Sequence, residues 1–476
     1  MAQEMLRSRV RPAEHGLPRW AGRGAFECPS QRFGDIHKLD AEALVNVLHE
    51  IKTYRAPDVV VLSTIAERFH QNVEEFFPPQ VMSVMRNFAE VRFCDPYIEA
   101  AVIGRVDDMM MSPTPWRVRT FLHSLASLRV SSEEAWAPVL PHAREHATNV
   151  KRYIPTLLES LHDLGVRDDE LVAMLATQAH VYAADLGPIF VESAERLSRI
   201  GHRNDKVMQR VVQLGQQHYD LTVHQTIALL ATLRRFKFSE AEACATSVAK
   251  RVELMTPAEA CSALQALCRY SLREQIVVAA AAQAIEGGFQ DPDFVRKNGP
   301  NALLALASLG FAEVDKPLLE GMVQSKEFVA RRKEFSGPAH LAVCEAAALA
   351  KLDWVLVSPF FELLGATFPQ LSLDGRRRMK KVCAVFSGQA AKSAASGEAC
   401  EAMMQIWSPA LPSFRVVDHD EVEEFLGETL FVRSGQLIRV TSHHDVFVDG
   451  GIKPQSSLVD EALSAVGKQV VVQASV

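Results

Sequence analysis

Three arginines, Arg167, Arg203 and Arg273, stand at one position of a recurring sequence pattern, each just past a turn. Guanidinium groups repeated along an edge suit the phosphates of a nucleic-acid strand, which they can grip bidentately. A second set, Lys206, Arg210, Gln213 and Gln217, is spaced i, i+4, i+7 and i+11. That spacing places all four on one helix face. There the cations would meet phosphate and the amides would read exposed bases. Arg234, Arg235 and Lys237 lie near the same turn edge. The densest basic run is "RRRMKK", with Arg376, Arg377, Arg378, Lys380 and Lys381. Helical spacing spreads its cations around the helix and leaves Met379 and Val382 toward the core. A further cluster is Arg331, Arg332 and Lys333. The alternative for all these groups is a solvated surface, because residues 149–253 carry as many acids as bases. No aromatic platform for stacked bases accompanies either dense cluster.

Other chemistry finds little support. The chain has no P-loop, GxGxxG, HExxH or GxSxG motif, so no catalytic residue and no cofactor is expected. His443, His444 and Asp445, with His419 between Asp418 and Asp420, form the densest His/Asp group. A metal would need three or four converging ligands, and polar residues of a surface hairpin are the simpler reading. The eight cysteines form no CxxC pair and mostly fall on apolar helix faces, which points to buried thiols in a reducing compartment. Net charge is −7, and no globular segment is broadly basic; residues 33–148 carry −5. A surface that grips a polyanion over its whole extent is therefore excluded. No stretch approaches 18 uninterrupted apolar residues, so no membrane insertion is expected.

These residues must be positioned by helices. Apolar residues make up 48% of 476 positions and aromatic residues only 7%, with Ala and Leu abundant, which favours helix over a β-sandwich. The stretch "YIPTLLESLHDLGVRDDELVAMLATQA" shows the unit. Leu157, Leu158, Leu161 and Leu164 form one apolar stripe, a turn follows, and Asp168, Asp169 and Glu170 open a second helix with Leu171, Met174 and Leu175. Equivalent turns fall at Arg55, Phe93, Val130, Val166, His202, Phe238, Leu272, Phe311 and Leu352. Their successive spacings are 38, 37, 36, 36, 36, 34, 39 and 41 residues. Neither helix of a pair can bury its stripe alone, whereas stacked pairs can. The expected fold is all-α: a superhelical solenoid of about nine repeats of about 37 residues over 33–369.

The ends differ. Residues 1–32 hold six Arg, three Glu and no Lys, an Arg-biased stretch that reads as an organellar targeting segment or a flexible arm. Residues 370–427 read as a helical extension, with "PALPSFRVVDHD" as a Pro-marked connector. From 428 to 476 the texture turns β-branched and aromatic, with Ser-Gly and Asp-Gly turn signals, so a small α+β appendage is expected.

Helical pairs of this length, with a first helix of the form "LLxxLxxLG" and an acidic turn after it, resemble the heptatricopeptide repeats. They are also similar to the octotricopeptide and FAST-kinase-like (RAP-type) organellar RNA-binding families. The resemblance covers roughly 33–369 and is one of repeat grammar. It implies a mitochondrial, non-enzymatic protein that binds RNA, as a component or assembly factor of a ribosome-like particle. It supplies no catalytic residue, and the tail lacks the RAP pattern. The competing expectation is a protein–protein scaffold or accessory subunit of a large mitochondrial complex, without RNA contact; the acidic 33–148 segment suits protein neighbours better than RNA.

Overall fold

A computed structural model describes residues 36–51, 59–181, 187–216 and 221–367, except 94 and 131, then scattered helical positions to 386 and the backbone of five strands between 415 and 474. All described secondary structure from 36 to 386 is helical. The chain divides into two compact units, Met1–Gln213 and Leu214–Val476.

In the first unit the longer helices are α1 (Ala41–Ile51), α2 (Val59–Gln71), α3 (Pro78–Val91), α4 (Pro96–Ile103), α5 (Pro115–Ser127), α6 (Leu140–His146), α7 (Ile154–Asp163), α8 (Asp169–Val181) and α9 (Gly187–Ile200). The helix α10 (Asp205–Gln216) follows, and the boundary between the units falls within it, after Gln213. Odd-numbered helices pack in succession: α1 on α3, α3 on α5, α5 on α7 and α7 on α9. Even-numbered helices lie beside them, α2 on α4 and α6 on α8. The second unit has α11 (Val223–Arg235), α12 (Glu240–Glu253), α13 (Pro257–Arg269), α14 (Gln275–Glu286), α15 (Gly299–Ser308), α16 (Ala312–Gln324), α17 (Gly337–Leu349) and α18 (Trp354–Thr367). Here again α11, α13, α15 and α17 pack in order, and α12 packs on α14.

Local chemistry explains where these helices start. Pro occupies the first turn of α3, α4, α5 and α13, where its missing N–H has no intrahelical partner to lose. Thr222 and Thr256 close capping boxes with Gln225 and Glu259. Asp168 accepts from the Leu171 N–H at 3.0 Å and so caps α8, and Asn204 does the same for Val207 at 3.2 Å.

The ends are more regular still. Eight odd-helix turns hold a residue at positive φ: Arg92, Arg129, Gly165, Gly201, Lys237, Ser271, Gly310 and Lys351. Each immediately precedes one of the turn residues read from the sequence. At every one, the next N–H returns to the carbonyl five residues back: Phe93 to Phe88, Val130 to Leu125, Val166 to Leu161 and His202 to Leu197. The series continues with Phe238 to Leu233, Leu272 to Leu267, Phe311 to Leu306 and Leu352 to Ala347, all eight at 2.9 to 3.0 Å. This is the Schellman cap, and at seven of the eight it brings an apolar residue past the turn back onto the helix; the eighth is His202. Only three of the eight are glycine. A left-handed side-chain residue costs about 1–2 kcal/mol, which the bond and the apolar contact offset. Gly165 has nothing within 4 Å of where a Cβ would stand, so its cost on substitution is conformational alone. Gly165→Ala is expected to destabilise by about 1 kcal/mol in urea unfolding. Lys237→Gly should move the midpoint the other way.

Five strands form one sheet in the order β1 (Arg415–Val417), β2 (Asp420–Phe425), β3 (Glu428–Arg433), β4 (Gln436–Thr441) and β5 (Val470–Ala474). β1 to β4 are antiparallel neighbours, and β5 runs parallel to β4. Arg433 pairs with Gln436 in the β3–β4 register. β1 and β2 begin inside the stretch read from the sequence as a Pro-marked connector. Acidic residues at Glu421, Glu423 and Glu424 hide the strand pattern of β2. The Arg-biased arm lies outside the described residues, as do His419, His443, His444 and Asp445.

Candidate nucleic-acid interface

The helix α10 begins at its Asn204 cap and buries Val207, Met208 and Val211. The opposite face carries Lys206 and Gln213, both exposed, with Arg210 half-buried between them. Arg210 Nη1 donates to Gln213 Oε1 at 3.4 Å, so the two are laterally in touch. Gln217 lies outside the described residues. Just before the helix, Arg203 is exposed, 3.9 Å from Asp205. One turn earlier in the pattern, Arg167 is exposed. Its neighbour Asp168 is engaged elsewhere: Arg144 Nη2 reaches its carboxylate at 2.8 Å.

Arg273, the third member of the expected ladder, is placed differently. Its guanidinium pairs with Glu313, forty residues on, and covers Gly310. A Cβ at Gly310 would stand 2.9 Å from the Arg273 Cζ. Glycine therefore serves both the left-handed turn and the arginine above it.

Arg234, Arg235, Arg378 and Arg331 are committed in the same way. Arg234 Nη1 donates to Glu242 at 2.6 Å, and its Nε donates to Glu274 at 2.9 Å. The Glu242 hydrogen bond, followed by Glu274, holds the guanidinium charged even more firmly than usual, and Arg234 in turn lowers the Glu242 pKa. Arg235 Nη2 donates to the Tyr270 carbonyl at 2.7 Å. Arg378 donates to Glu345 at 3.0 Å, while Met379 and Val382 are buried. Arg376, Arg377, Lys380 and Lys381 lie outside the described residues. Arg331 pairs with Glu334 at 2.9 Å, and the Arg332 carbonyl accepts from His340 Nε2 at 2.8 Å. Lys237 is exposed at its left-handed turn.

Sequence reasoning missed two features. Arg129 holds the same left-handed turn position as Lys237 and is exposed. A long cation carries no signal for positive φ, so only the turn register could have found it. Tyr153 is flanked by Arg152 at 5.0 Å and Arg119 at 5.5 Å from its ring centroid. Such cation–π contacts suit an anionic aromatic ligand as well as packing. Arg119 is thirty-four residues away in sequence, so composition gives no hint of it.

Among the described residues, no group of three or more His, Cys, Asp or Glu could hold a metal ion. Burial pushes the Cys244 thiol up to about 12 and the Cys261 thiol up to about 11, so neither is a thiolate at neutral pH. No helix among the described residues is long and apolar enough to cross a membrane. No protein-family model matches the chain, and no match is found among curated proteins.

Proposed function

We propose that the chain is a non-enzymatic, mitochondrial helical-repeat protein whose RNA contact is confined to one short patch. In this reading the two units belong to one superhelical array of about nine repeats, with a small α+β appendage, and the protein works within a ribosome-like particle. The observation that carries it is the shared exposed face of α10, where Lys206, Arg210 and Gln213 lie next to Arg203, with Arg167 one repeat away. A patch of three or four cations supports local phosphate contact on a chain of net charge −7.

The committed arginines favour a second reading, a protein scaffold without RNA contact. Arg234, Arg235, Arg273 and Arg378 each reach 33 to 40 residues along the chain to the neighbouring turn or helix. They tie neighbouring helix pairs of the second unit together and leave little continuous cationic edge for a strand.

One experiment separates the two. The triple variant Arg203→Gln, Lys206→Gln, Arg210→Gln is titrated with single-stranded RNA at several salt concentrations, beside the unaltered chain. RNA contact predicts a log–log salt slope of about −2 for about three phosphates, flattened in the variant. An affinity that ignores salt, or that the variant leaves unchanged, overturns RNA binding at this patch and leaves the scaffold. Ultraviolet crosslinking in purified organellar particles should likewise place adducts on α10.

A further inference from the structure

A groove of about 180 Å³ opens between the N-terminal halves of α3 and α5 in the first unit. Its apolar wall is Pro78, Pro79, Met82 and Met109 on one side and Trp116 on the other. Trp116 in its wall is 45% exposed, and Phe77 (72%) and Met111 (80%), which adjoin the lining residues Pro78 and Met109 in sequence, are exposed too. Isolated exposed apolar residues need no explanation, but an exposed tryptophan set in an apolar wall marks a contact surface.

The polar lining points to a ligand. Every charged residue of the lining is a cation, Arg86 or Arg117. Arg117 spends one donor on the Ser112 carbonyl at 3.0 Å. Thr120 is buried, at 4% exposure, and its hydroxyl makes no hydrogen bond. Arg86 Nε makes an i,i+4 ion pair with Glu90 at 3.6 Å, too long for a hydrogen bond. By contrast Thr226 and Thr232, also buried in a helix, return their hydroxyls to the carbonyl four residues back. A buried hydroxyl without a protein partner costs about 1–3 kcal/mol unless an acceptor is supplied, so Thr120 offers a donor to whatever occupies the groove.

Size and charge narrow the occupant. The volume is below the roughly 300–1,000 Å³ of whole-molecule ligand pockets, so the groove takes one side chain of a longer partner. Glu74, Glu75, Asp107 and Asp108 are exposed on the flanking segments. They would repel a strand with a phosphate at every nucleotide, but tolerate a single carboxylate. We propose that this groove docks a short segment of a protein partner in which a large apolar or aromatic side chain is followed by a carboxylate. The anchor seats between Met82 and Trp116, the carboxylate meets Arg86 and Arg117, and Thr120 donates to an acceptor of the same segment. The proposal does not rest on the RNA reading.

The test uses the full chain and fluorescein-labelled capped hexapeptides with a central Phe-Asp or Leu-Glu pair. Matched peptides carry Asn, Gln or Lys in place of the acid, and a single-stranded oligouridylate serves as the nucleic-acid arm. Fluorescence anisotropy should show saturable binding of the acidic peptides, about ten-fold weaker for the amide forms, as a charge-assisted bond requires. Trp116→Ala and Arg117→Gln should each weaken binding about ten-fold, and the near-isosteric Thr120→Val should weaken it several-fold while helical content is unchanged. Equal binding of acid and amide peptides overturns the proposal. So does failure of any acidic peptide to saturate at millimolar concentration. Oligouridylate binding that Trp116→Ala abolishes would assign the groove to nucleic acid instead.

Discussion

Replacing Glu195 by alanine is expected to destabilise the first unit by about 3–5 kcal/mol. Glu195 lies on α9 with no exposed surface, and Arg196 beside it is 2% exposed. Glu195 accepts from Arg199 Nε at 2.7 Å and pairs with Arg196, whose Nη2 donates to Glu159 on α7 at 3.0 Å. Among the described residues the network holds two acids and two guanidinium groups. Removing the most buried acid leaves two cations around one half-exposed carboxylate, in a place where water cannot replace it. The penalty comes from that uncompensated charge and exceeds the net worth of the pair. Urea unfolding should show the shift, with amide exchange accelerating first in α7 and α9. The double replacement Glu195→Leu, Arg196→Leu should recover much of the loss, because well-packed apolar residues can replace a buried pair. A loss below about 1 kcal/mol for Glu195→Ala would show that water reaches the network.

The second large effect is expected at Phe328, on the short helix Lys326–Arg331 that fills the longest interval between turns in the second unit. Phe328 is fully buried, with ring centroids 5.6 Å from Phe289, 5.1 Å from Phe335 and 5.5 Å from Phe360. Gly299 sits against it, and a Cβ there would lie 3.1 Å from Phe328 Cε2. Truncation to alanine removes the ring that three others surround and opens a cavity, a loss of about 3–5 kcal/mol. Phe328→Leu fills part of the space and should lose less than half of that. Limited proteolysis offers a local readout: in Phe328→Ala, cleavage should concentrate between residues 324 and 336. Unchanged protection of that segment would mean the other rings close over the gap.

Much of the helical order can be read from the sequence, because burial leaves periodic traces. Leu157, Leu158 and Leu161 mark a stripe, and Gly165, Gly201 and Gly310 mark turns in the one residue type that favours positive φ. The same turn at Arg92, Arg129 or Lys351 leaves no trace of its own. The candidate site is less legible. Residue type alone identifies Arg234 or Arg273 as a cation. Whether it is free depends on Glu274 or Glu313, a full repeat away, and no local pattern encodes that distance. The groove is harder still, since Arg86 and Trp116 come from different helices thirty residues apart and Thr120 matters through a bond it does not make. In the tail, the Ser434-Gly435 turn signal announces the pairing of β3 with β4, whereas the acids of β2 conceal a strand.

The series of left-handed caps has a consequence for how the chain tolerates change in length. Successive caps are 34 to 41 residues apart, yet each ends its helix with the same backbone bond. The cap thus resets the phase of the pattern at every turn. An insertion such as the one around Phe328 lengthens its own interval only, and the next helix starts again in register. Error in spacing does not accumulate along the chain, as it would in a single long helix or a heptad array. Residues can be gained or lost between caps while the order of packing persists, and lineages should accept such changes there far more readily than within the six residues that close a cap.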